Sequence, residues 1–312
     1  MRFLSIIFCF FTLLSSPILD ALTPADIPIV KCANNRMDQR KCELSICAIF
    51  RDEGPYLKEW IEFHRLVGVS HFYLYNNLSQ DIYWEVLQPY ITKGIVELFD
   101  VPFDSCAYND GAKTHNFVQV CCYTHAINLA SKSNWLAIID VDEFICPVID
   151  KDIPTALTRY PKAGGLVVYW QIYGTSNIWD LQPGELMIEK LLLKEPNKGG
   201  KGLFKTIIRP KYAGKCMDPH YTKTKHKLLI TPNDQKFHHK RTFSLLPVDV
   251  IRINHYTFRT ASYYFNYKKP RRARWGYAPS PEVERADLDG ANAVYDPVML
   301  RFVVELKKRM GM

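Results

Sequence analysis

The chain has 312 residues, 47% of them apolar, and carries a net charge of +8. This length and composition can bury a large core in one α/β domain or in two smaller ones. They exclude a disordered, collagen-like or coiled-coil chain. No C-x-x-C pair is present, which argues against a structural zinc site.

The N-terminus has the features of a targeting segment. Arg2 is followed by an apolar stretch to Leu14, and a small residue stands at Ala21. This order predicts a signal peptide. Because the apolar stretch can be extended to Leu19, close to the about 20 residues of a membrane helix, an uncleaved signal anchor is the alternative. We expect residues 1–21 to direct the protein to the secretory pathway or cell envelope, either secreted or single-pass and membrane-anchored.

Residues 22–43 are predicted to form a short polar stem, and residues 44–312 a single catalytic domain. The chain has nine cysteines, and removal of Cys9 with the leader leaves an even number. An even number permits disulfides in a secretory chain. Cys32 and Cys42 bracket a polar loop and are the pair that we favour.

Predicted strands and helices alternate between residues 44 and 140. The elements are a strand over 44–50, a helix ending at Gly68, a strand over 71–75, a helix over 81–90, a strand over 95–99, a helix over 112–131 and a strand ending at Asp140. Repeated β-α-β units predict a mostly parallel sheet with helices on both faces.

The alternation stops after Phe144. A strand is predicted over 165–170, a helix over 184–195, strands and loops over 203–256, and an amphipathic helix over 299–310.

Positive charge is concentrated in the second half of the chain. Residues 190–275 contain 21 Lys or Arg and only 4 Asp or Glu. Such a region predicts an anionic partner. A nucleotide diphosphate, an anionic glycan, a nucleic acid and an anionic lipid all satisfy this criterion.

Asp140-Val-Asp142 is the strongest candidate site, because it follows an apolar strand. Ligand sites in open α/β sheets lie beyond the carboxyl ends of the strands. Neither aspartate has a neighbouring Lys or Arg in the sequence, so we expect the pair to need a cation. Oxygen ligands with room for a phosphate suit Mn²⁺ or Mg²⁺. Two further D-x-D copies, at 150–152 and 287–289, are predicted to be solvated loops.

Four blocks of sequence carry a resemblance to a known family. The first lies at 49–69 and runs into 71–81, the second lies at 139–144, the third lies at 169–177 and leads to 188–190, and the fourth lies at 253–259 and is followed by 268–274. With these blocks in this order, the chain resembles glycosyltransferase family 92 and the related family-2-like glycosyltransferases with a GT-A fold. The third block departs from the family's usual Gly-Ser-Ser-Gly-His, since Gly174 is followed by Thr-Ser-Asn.

The resemblance implies an α/β GT-A fold and a metal-dependent inverting glycosyltransferase. The enzyme would transfer a sugar, with galactose as one candidate, from a UDP-sugar to a glycan hydroxyl. Its cofactor would be Mn²⁺ or Mg²⁺, and its partners the nucleotide-sugar donor and the glycan acceptor. No nucleic acid is expected, because export separates the chain from it. The alternative is a catalytically inactive glycan-binding or scaffold protein on the same fold.

The resemblance also implies the metal ligands. Asp142 would bind the metal directly, Asp140 would contact the metal or the ribose, and His255 would be a further metal ligand or a diphosphate contact. For His255, which ends a strand-like run, a structural role is the alternative.

Two further groups of side chains are implied to hold the donor. Loops after the first two strands would contact the nucleoside through Arg51, Glu53, Asn76, Asn77, Ser79 and Asp81. A flexible basic loop would close on the diphosphate with Lys268, Arg271 and Arg272. The alternatives are ordinary turn chemistry for the first group and a solvated or lipid-facing basic patch for the second.

An inverting transfer needs a carboxylate that deprotonates the acceptor hydroxyl. Glu189 ranks first because it occupies the family's Ile-Glu position. Asp180 and Glu185, near the same predicted helix start, are the other carboxylate candidates, and His220 is a further pocket candidate.

Overall fold

The computed structural model describes residues 23–32, 42–105, 111–274 and 276–312. The predicted leader, residues 1–21, lies outside these ranges. Within them, no helix has both the length and the apolar character needed to cross a membrane.

The strands are mostly short, and many are apolar. In chain order they are β1 (Val30–Lys31), β2 (Cys42–Phe50), β3 (His71–Asn76), β4 (Val96–Asp100), β5 (Ser133–Ile138), β6 (Glu143–Pro147), β7 (Gly165–Ile172), β8 (Leu193–Lys194), β9 (Phe204–Ile208), β10 (Ala213–Cys216), β11 (Thr222–Thr224), β12 (Leu229–Ile230), β13 (Ile251–His255) and β14 (Val294–Tyr295).

The helices range from one turn to five turns. In chain order they are α1 (Gly54–Leu66), α2 (Tyr83–Thr92), α3 (Gly111–Leu129), α4 (Ile153–Leu157), α5 (Met187–Lys190), α6 (Ala261–Tyr263), α7 (Lys269–Arg274), α8 (Pro281–Ala291) and α9 (Leu300–Met310).

One large sheet organises the chain, with the strand order β1-β4-β3-β2-β5-β9-β7-β13-β6. Strands β4, β3, β2 and β5 are parallel neighbours, and β7 is parallel to β13 and β12. Strand β9 is antiparallel to both β5 and β7, and β1 and β6 are antiparallel at the two edges. The predicted α/β class, with a mostly parallel sheet flanked by helices, is confirmed.

The alternating side chains of β2 explain why helices cover both faces of the sheet. Ile46 and Ala48 belong to the core layer that contains residues of α1, whereas Cys47 and Ile49 pack with residues of α3. Successive residues of a strand point to opposite faces, so a strand buried on both sides must be apolar throughout. This is why the first strand was recognisable in the sequence.

The helix predicted over 184–195 is wrong in length. Only α5 is helical, and the chain then enters β8, which pairs with β14. The Glu59 carboxylate accepts hydrogen bonds from the backbone N–H groups of Met187 and Ile188, both at 3.0 Å. Glu59 therefore fixes the start of α5, and the pairing of β8 with β14 fixes its end, although both partners are distant in sequence.

The predicted basic loop is helical. Helix α6, a π-helical stretch over Tyr264–Lys268 and α7 follow one another without a break. We call residues 261–274 the basic helix. It begins at Thr260, whose hydroxyl caps the first turn by accepting from the N–H of Tyr263.

Part of the predicted stem belongs to the sheet. Strand β1 pairs with β4, and the side chain of Ile27 is buried in the core. The favoured disulfide is not formed: the thiol of Cys32 lies 3.8 Å from the carbonyl oxygen of Val30, and that of Cys42 lies 2.7 Å from the hydroxyl of Ser70.

Candidate functional site

The turn between β5 and β6 carries Asp140 and Asp142, at the sheet edge where β2, β3 and β4 also end. The N–H of Glu143 donates to the carbonyl of Asp140 at 3.1 Å, and the N–H of Asp140 donates to the Glu143 carboxylate at 3.0 Å. The N–H of Tyr256 donates to the carbonyl of Asp142 at 2.8 Å. The backbone of the turn is therefore fixed from both sides.

Helix α1 holds the strand that follows this turn. The indole N–H of Trp60 donates to the carbonyl of Glu143 at 2.8 Å. His64 accepts from the N–H of Ile145 at 3.2 Å through Nε2, while its Nδ1 lies 2.8 Å from the carbonyl of Trp60. Burial lowers the pKa of His64 to about 3, so the neutral ring that these two contacts require is the stable form.

A lysine from the centre of the sheet neutralises Asp140. Lys205 of β9 is 1% exposed, and its Nζ lies 2.8 Å from Asp140 Oδ2 and 3.9 Å from Glu143 Oε1. The ammonium also donates to the carbonyl of Pro219 at 3.2 Å. Burial would raise the pKa of Asp140, but Lys205 outweighs it and the pKa is lowered. Burial dominates for Glu143, whose pKa is raised well above its ordinary value.

A second lysine, from the basic helix, neutralises Asp142. Lys268 Nζ lies 2.7 Å from Asp142 Oδ2, and His255 Nε2 lies 3.4 Å from Asp142 Oδ1. Although burial acts to raise the pKa of Asp142, these two neighbours hold it well below its ordinary value. The expectation that the two aspartates lack a lysine or arginine partner is therefore wrong.

The other two D-x-D copies have local structural roles. Asp150 forms an ion pair with Arg159, and Asp152 caps α4 by accepting from the N–H of Thr155 at 2.8 Å. Asp289 lies on α8 beside Arg285, so this copy is helical and not the predicted loop. Of the three copies, the one that strand context favours lies at the shared sheet edge, and its role as a metal site stays a prediction.

The donor set around Asp142 fits a divalent cation that is shared with phosphate. Asp142 and His255 face each other, and His255 Nδ1 is buried without a hydrogen-bond partner among the described residues. Across the described ranges, no three His, Cys, Asp or Glu side chains form a complete metal cage. Mg²⁺-type sites commonly use one or two carboxylates plus substrate phosphates, and Asp142 with His255 is compatible with such a site.

A buried ion-pair cluster joins the loop after β2 to the basic helix. Arg259 lies 2.5 Å from one Glu53 oxygen, and Arg271 lies 3.7 Å from the other. The guanidinium of Arg259 lies between the rings of Tyr56 and Tyr263, at 3.7 and 4.5 Å. The predicted donor residue Glu53 therefore forms ion pairs with two arginines. One of them, Arg259, has no role in the predictions made from the sequence.

A cavity of about 270 Å³ lies next to this cluster, between the loop after β2 and the basic helix. Its wall carries three arginines (Arg51, Arg271 and Arg274), two aspartates (Asp52 and Asp104) and the rings of Tyr263 and Tyr267. Arg51 forms an ion pair with Asp104 at 3.3 Å. Arg271 also donates to the backbone carbonyl of Arg51 at 3.3 Å. The structure thus brings together Arg51 and Arg271 from the predicted donor set.

Asn76 and Asn77 form turns. The Asn76 amide donates to Asp100 at 2.8 Å, and the Asn77 amide donates to the carbonyls of Val101 and Phe103, both at 2.9 Å. Both asparagines are buried. Their polar groups hold the loop after β4 in place, and direct contact with a donor stays a prediction.

Ser79 and Asp81 tie the loops after β2 and β3 together. The Ser79 hydroxyl accepts from the N–H of Asp52 at 2.9 Å. The Asp81 carboxylate accepts from the N–H groups of Gly54 at 2.6 Å and Tyr83 at 3.1 Å. These contacts match the turn-chemistry alternative.

The predicted base candidates and Arg272 make contacts elsewhere. Glu189 forms an ion pair with a lysine of α9 at 2.6 Å, and Glu185 forms one with Lys190 at 2.9 Å. Arg272 stacks on a tyrosine ring at 4.0 Å and does not line the cavity. Asp180 is exposed, and its carboxylate accepts from the N–H of the next residue. A role as base stays a prediction for all three carboxylates.

His220 lies beside the aspartate turn. Its ring meets the ring of Trp170 edge-on, with 5.3 Å between centroids, and Trp170 meets His255 in the same way at 4.3 Å. Burial, with Lys205 as a smaller cause, lowers the pKa of His220 to about 4. His220 therefore belongs to the surroundings of the aspartates in its neutral form.

The chain matches the sequence profile of a known protein family. A sequence profile described as Glycosyltransferase family 92 matches residues 41–260. The Glycosyltransferase family 92 protein At1g27200 of Arabidopsis thaliana is 30% identical over 107 residues, which cover 33% of this chain and 16% of that protein. The Glycosyltransferase family 92 protein Os08g0121900 of Oryza sativa subsp. japonica is 25% identical over 149 residues, which cover 46% of this chain and 23% of that protein. The chain thus spans less than a quarter of the length of these curated relatives.

Solved structures were compared as well. S. aureus TarS 1–349 in complex with UDP-GlcNAc aligns with 55% of this chain and 46% of that chain, at 12% identity and a TM-score of 0.33. At this score no property is transferred to the chain. The profile match covers most of the chain, and the chain belongs to glycosyltransferase family 92, which confirms the resemblance carried by the four blocks.

Proposed function

We propose that the protein is a metal-dependent inverting glycosyltransferase that transfers a sugar from a UDP-sugar to a glycan hydroxyl. The observation that carries the proposal is the basic helix, which joins two features. Lys268 of this helix contacts Asp142, and Arg271 of the same helix lines the cavity. A nucleotide diphosphate has the charge to bind to the arginines of such a cavity and to a carboxylate-bound cation together.

The cavity supplies the chemistry that a nucleotide needs. The rings of Tyr263 and Tyr267 lie nearly parallel, with 6.1 Å between centroids and 24° between planes. An aromatic face can stack on a base. Arg51, Arg271 and Arg274 present planar donors suited to phosphate oxygens, and a bound phosphate would share Arg51 with Asp104 and Arg271 with Glu53. A UDP moiety would therefore place its base toward the tyrosines and its phosphates toward Asp142.

Asp142 and His255 would hold the cation, which when bound stabilises the negative charge that develops on the leaving diphosphate. Asp140 is neutralised within the sheet by Lys205. We therefore expect Asp140 to orient the turn and to accept a hydrogen bond from a ribose hydroxyl. Lys268 and the cavity arginines add positive charge on the leaving-group side.

Asp180 is the base candidate that the contacts favour. Glu185 and Glu189 are engaged in ion pairs, whereas Asp180 is exposed and has no ion pair among the described residues. Burial raises the pKa of Tyr56, and Asp180 adds a smaller contribution. The carbonyls of Ile178 and Trp179, just before Asp180, accept hydrogen bonds from the N–H groups of Ala261 and Ser262 at 2.9 and 2.8 Å, so Asp180 lies near the start of the basic helix.

The proposal is tested by UDP release from a panel of UDP-sugars, with glycan acceptors and with water, in the presence and absence of Mn²⁺. We expect turnover to need Mn²⁺ and Asp142→Asn to lower it by about 100-fold, the usual cost of removing one group that stabilises transition-state charge. Asp289→Asn is the matched control, because it alters the second aspartate of another D-x-D copy. Equal turnover by the wild type and Asp142→Asn would refute the proposal.

A second candidate is a catalytically inactive glycan-binding protein on the same fold. One observation favours it: both aspartates already have a lysine partner. Calorimetry separates the two candidates, since this protein would bind glycan but would show no Mn²⁺-dependent binding of UDP.

A further inference from the structure

Lys268 occupies the position where a cation would bind Asp142. We propose that Lys268 holds Asp142 in the metal-free protein and moves to the donor diphosphate when the metal binds, so that metal and nucleotide bind cooperatively. This inference rests on the proposed function, because it assigns a role to Lys268 within the same site.

The contacts of Asp142 create a conflict for any added cation. One carboxylate oxygen is 2.7 Å from Lys268 Nζ, and the other is 3.4 Å from His255 Nε2. A divalent cation on this carboxylate would lie within a few ångströms of the ammonium, in a site screened from water. Like charges at this distance repel strongly in a protein interior, so the metal and Lys268 compete for Asp142.

Lys268, unlike the other lysine of the site, is placed where it can move. Lys205 projects from the middle of the sheet and has a second contact with the carbonyl of Pro219. Lys268 ends a π-helical stretch of the basic helix, a distortion frequent at functional sites. A lysine ammonium on its four-carbon stem can re-aim its donors without a shift of the helix backbone.

The basic helix also places Lys268 close to the cavity in which the donor diphosphate would bind. Tyr267 precedes Lys268, Arg271 follows it by one turn, and both line the cavity. A diphosphate that reaches from the cavity to a metal on Asp142 would pass Lys268. Charge-assisted hydrogen bonds to phosphate oxygens would then replace the lost contact with the carboxylate.

Two effects of opposite sign follow for the affinity of the protein for Mn²⁺. Without nucleotide, Lys268 opposes metal binding, because the metal must displace it from Asp142. With UDP bound, Lys268 supports metal binding, because it stabilises the diphosphate that completes the metal site. By linkage, the factor by which UDP strengthens Mn²⁺ binding equals the factor by which Mn²⁺ strengthens UDP binding.

The experiment measures the dissociation constant of Mn²⁺ by the electron paramagnetic resonance signal of the free ion. The full chain is titrated as wild type, Lys268→Met, Lys268→Gln and Lys269→Met, each with and without UDP. For both Lys268 variants we expect Mn²⁺ to bind about tenfold more tightly without UDP and about tenfold more weakly with it, the size of one hydrogen bond to a charged group.

Lys269→Met is the matched control, since Lys269 is the next residue of the helix and pairs with Glu284 on α8. It should bind Mn²⁺ like the wild type in both conditions. Lys268→Gln keeps a donor for Asp142 without the charge, so it serves if Lys268→Met does not fold.

The outcomes are distinct. If the Lys268 variants changed the affinity for Mn²⁺ in the same direction with and without UDP, or changed it in neither condition, the role of Lys268 would be overturned. The proposed function would still stand. A wild type that binds no Mn²⁺ even with UDP would overturn both.

Discussion

Asp140 and Asp142 stand one residue apart, yet the two are neutralised in different ways. Asp140 contacts Lys205 of β9, which lies inside the sheet, and Asp142 contacts Lys268 of the basic helix. The first contact joins two elements of the core, and the second joins the core to a helix that also lines the cavity. We infer that the first ion pair serves the fold and the second serves binding.

The surroundings of the two pairs support this distinction. On the strand side, Trp60 and His64 of α1 hold the backbone after the aspartate turn. On the helix side, Glu53 pairs with Arg271 of the basic helix and with Arg259, two residues before that helix. Changes on the strand side should therefore alter stability, and changes on the helix side should alter ligand affinity.

Replacing Lys205 should have the largest effect. Lys205→Met leaves Asp140 and Glu143 without their buried cation, and breaking a buried pair from one side costs about 3–5 kcal/mol. Urea unfolding followed by circular dichroism measures the loss of unfolding free energy. The double variant Lys205→Met/Asp140→Asn should recover part of it, because fewer charges are left unpaired.

Lys215→Met provides the control on neighbouring β10, where the lysine is exposed. Its effect should stay within about 0.5 kcal/mol. If Lys205→Met were as mild as this control, the strand-side pair would not serve the fold and the comparison would fail.

His64 should give the next largest effect, as a dependence of stability on pH. Its pKa is about 3 in the folded protein, against an ordinary value of 6.5, so below pH 6.5 the unfolded chain binds a proton that the folded chain does not. Its contribution is complete above pH 6.5 and is lost as pH falls toward 3. Between pH 6 and pH 4 this loss of unfolding free energy amounts to about 2.5 kcal/mol.

His64→Gln should be less stable at pH 7 but should lose less stability on acidification than the wild type, by that amount. The exposed His226 offers His226→Gln as a control with the wild-type slope. Parallel pH curves for His64→Gln and the wild type would show that the ring is not held neutral against α1 and β6.

What could be predicted from the sequence was local. Strand β2 is apolar because both of its faces are buried, and α1 ends before Gly68, whose φ of +101° is one that glycine adopts readily. The aspartate turn was located because Asp140 follows an apolar strand. Each of these predictions used only residues close to one another in the chain.

The ion partners of the site could not be predicted in this way. Lys205 is 65 residues from Asp140, and Lys268 is 126 residues from Asp142. Nothing near either lysine in the sequence identifies its partner. Lys205 nevertheless left a signal, because a lone lysine within the apolar strand Phe204–Ile208 must find a buried counter-charge.

Two predictions of secondary structure, over 184–195 and around Lys268, were wrong for the same reason, because contacts distant in sequence decide these segments. The chain over 184–195 has helical spacing, but pairing of β8 with β14 ends the helix after one turn. The resemblance implies a flexible loop for the basic run around Lys268, but this run is helical. Lys268 contacts Asp142, and Tyr263 of the basic helix contacts Glu53 and Arg259.

Tyr267 should give the smallest change in stability together with a clear change in binding. Its side chain is 68% exposed and lines the cavity. Tyr267→Ala should shift the unfolding free energy by less than about 0.5 kcal/mol, as for most surface positions. Loss of one stacking ring should weaken UDP binding about fivefold, the lower end for an aromatic–base contact.

Tyr295→Ala is the control, because Tyr295 is 60% exposed on β14 and lies outside the cavity. Calorimetry with UDP and Mn²⁺ measures both variants, and thermal unfolding confirms that each is folded. An unchanged affinity in Tyr267→Ala would remove the cavity from the donor site. A loss of stability above about 1 kcal/mol, well beyond the range of an ordinary surface position, would instead show that the helix side carries the fold as the strand side does, and the distinction between the two aspartates would no longer hold.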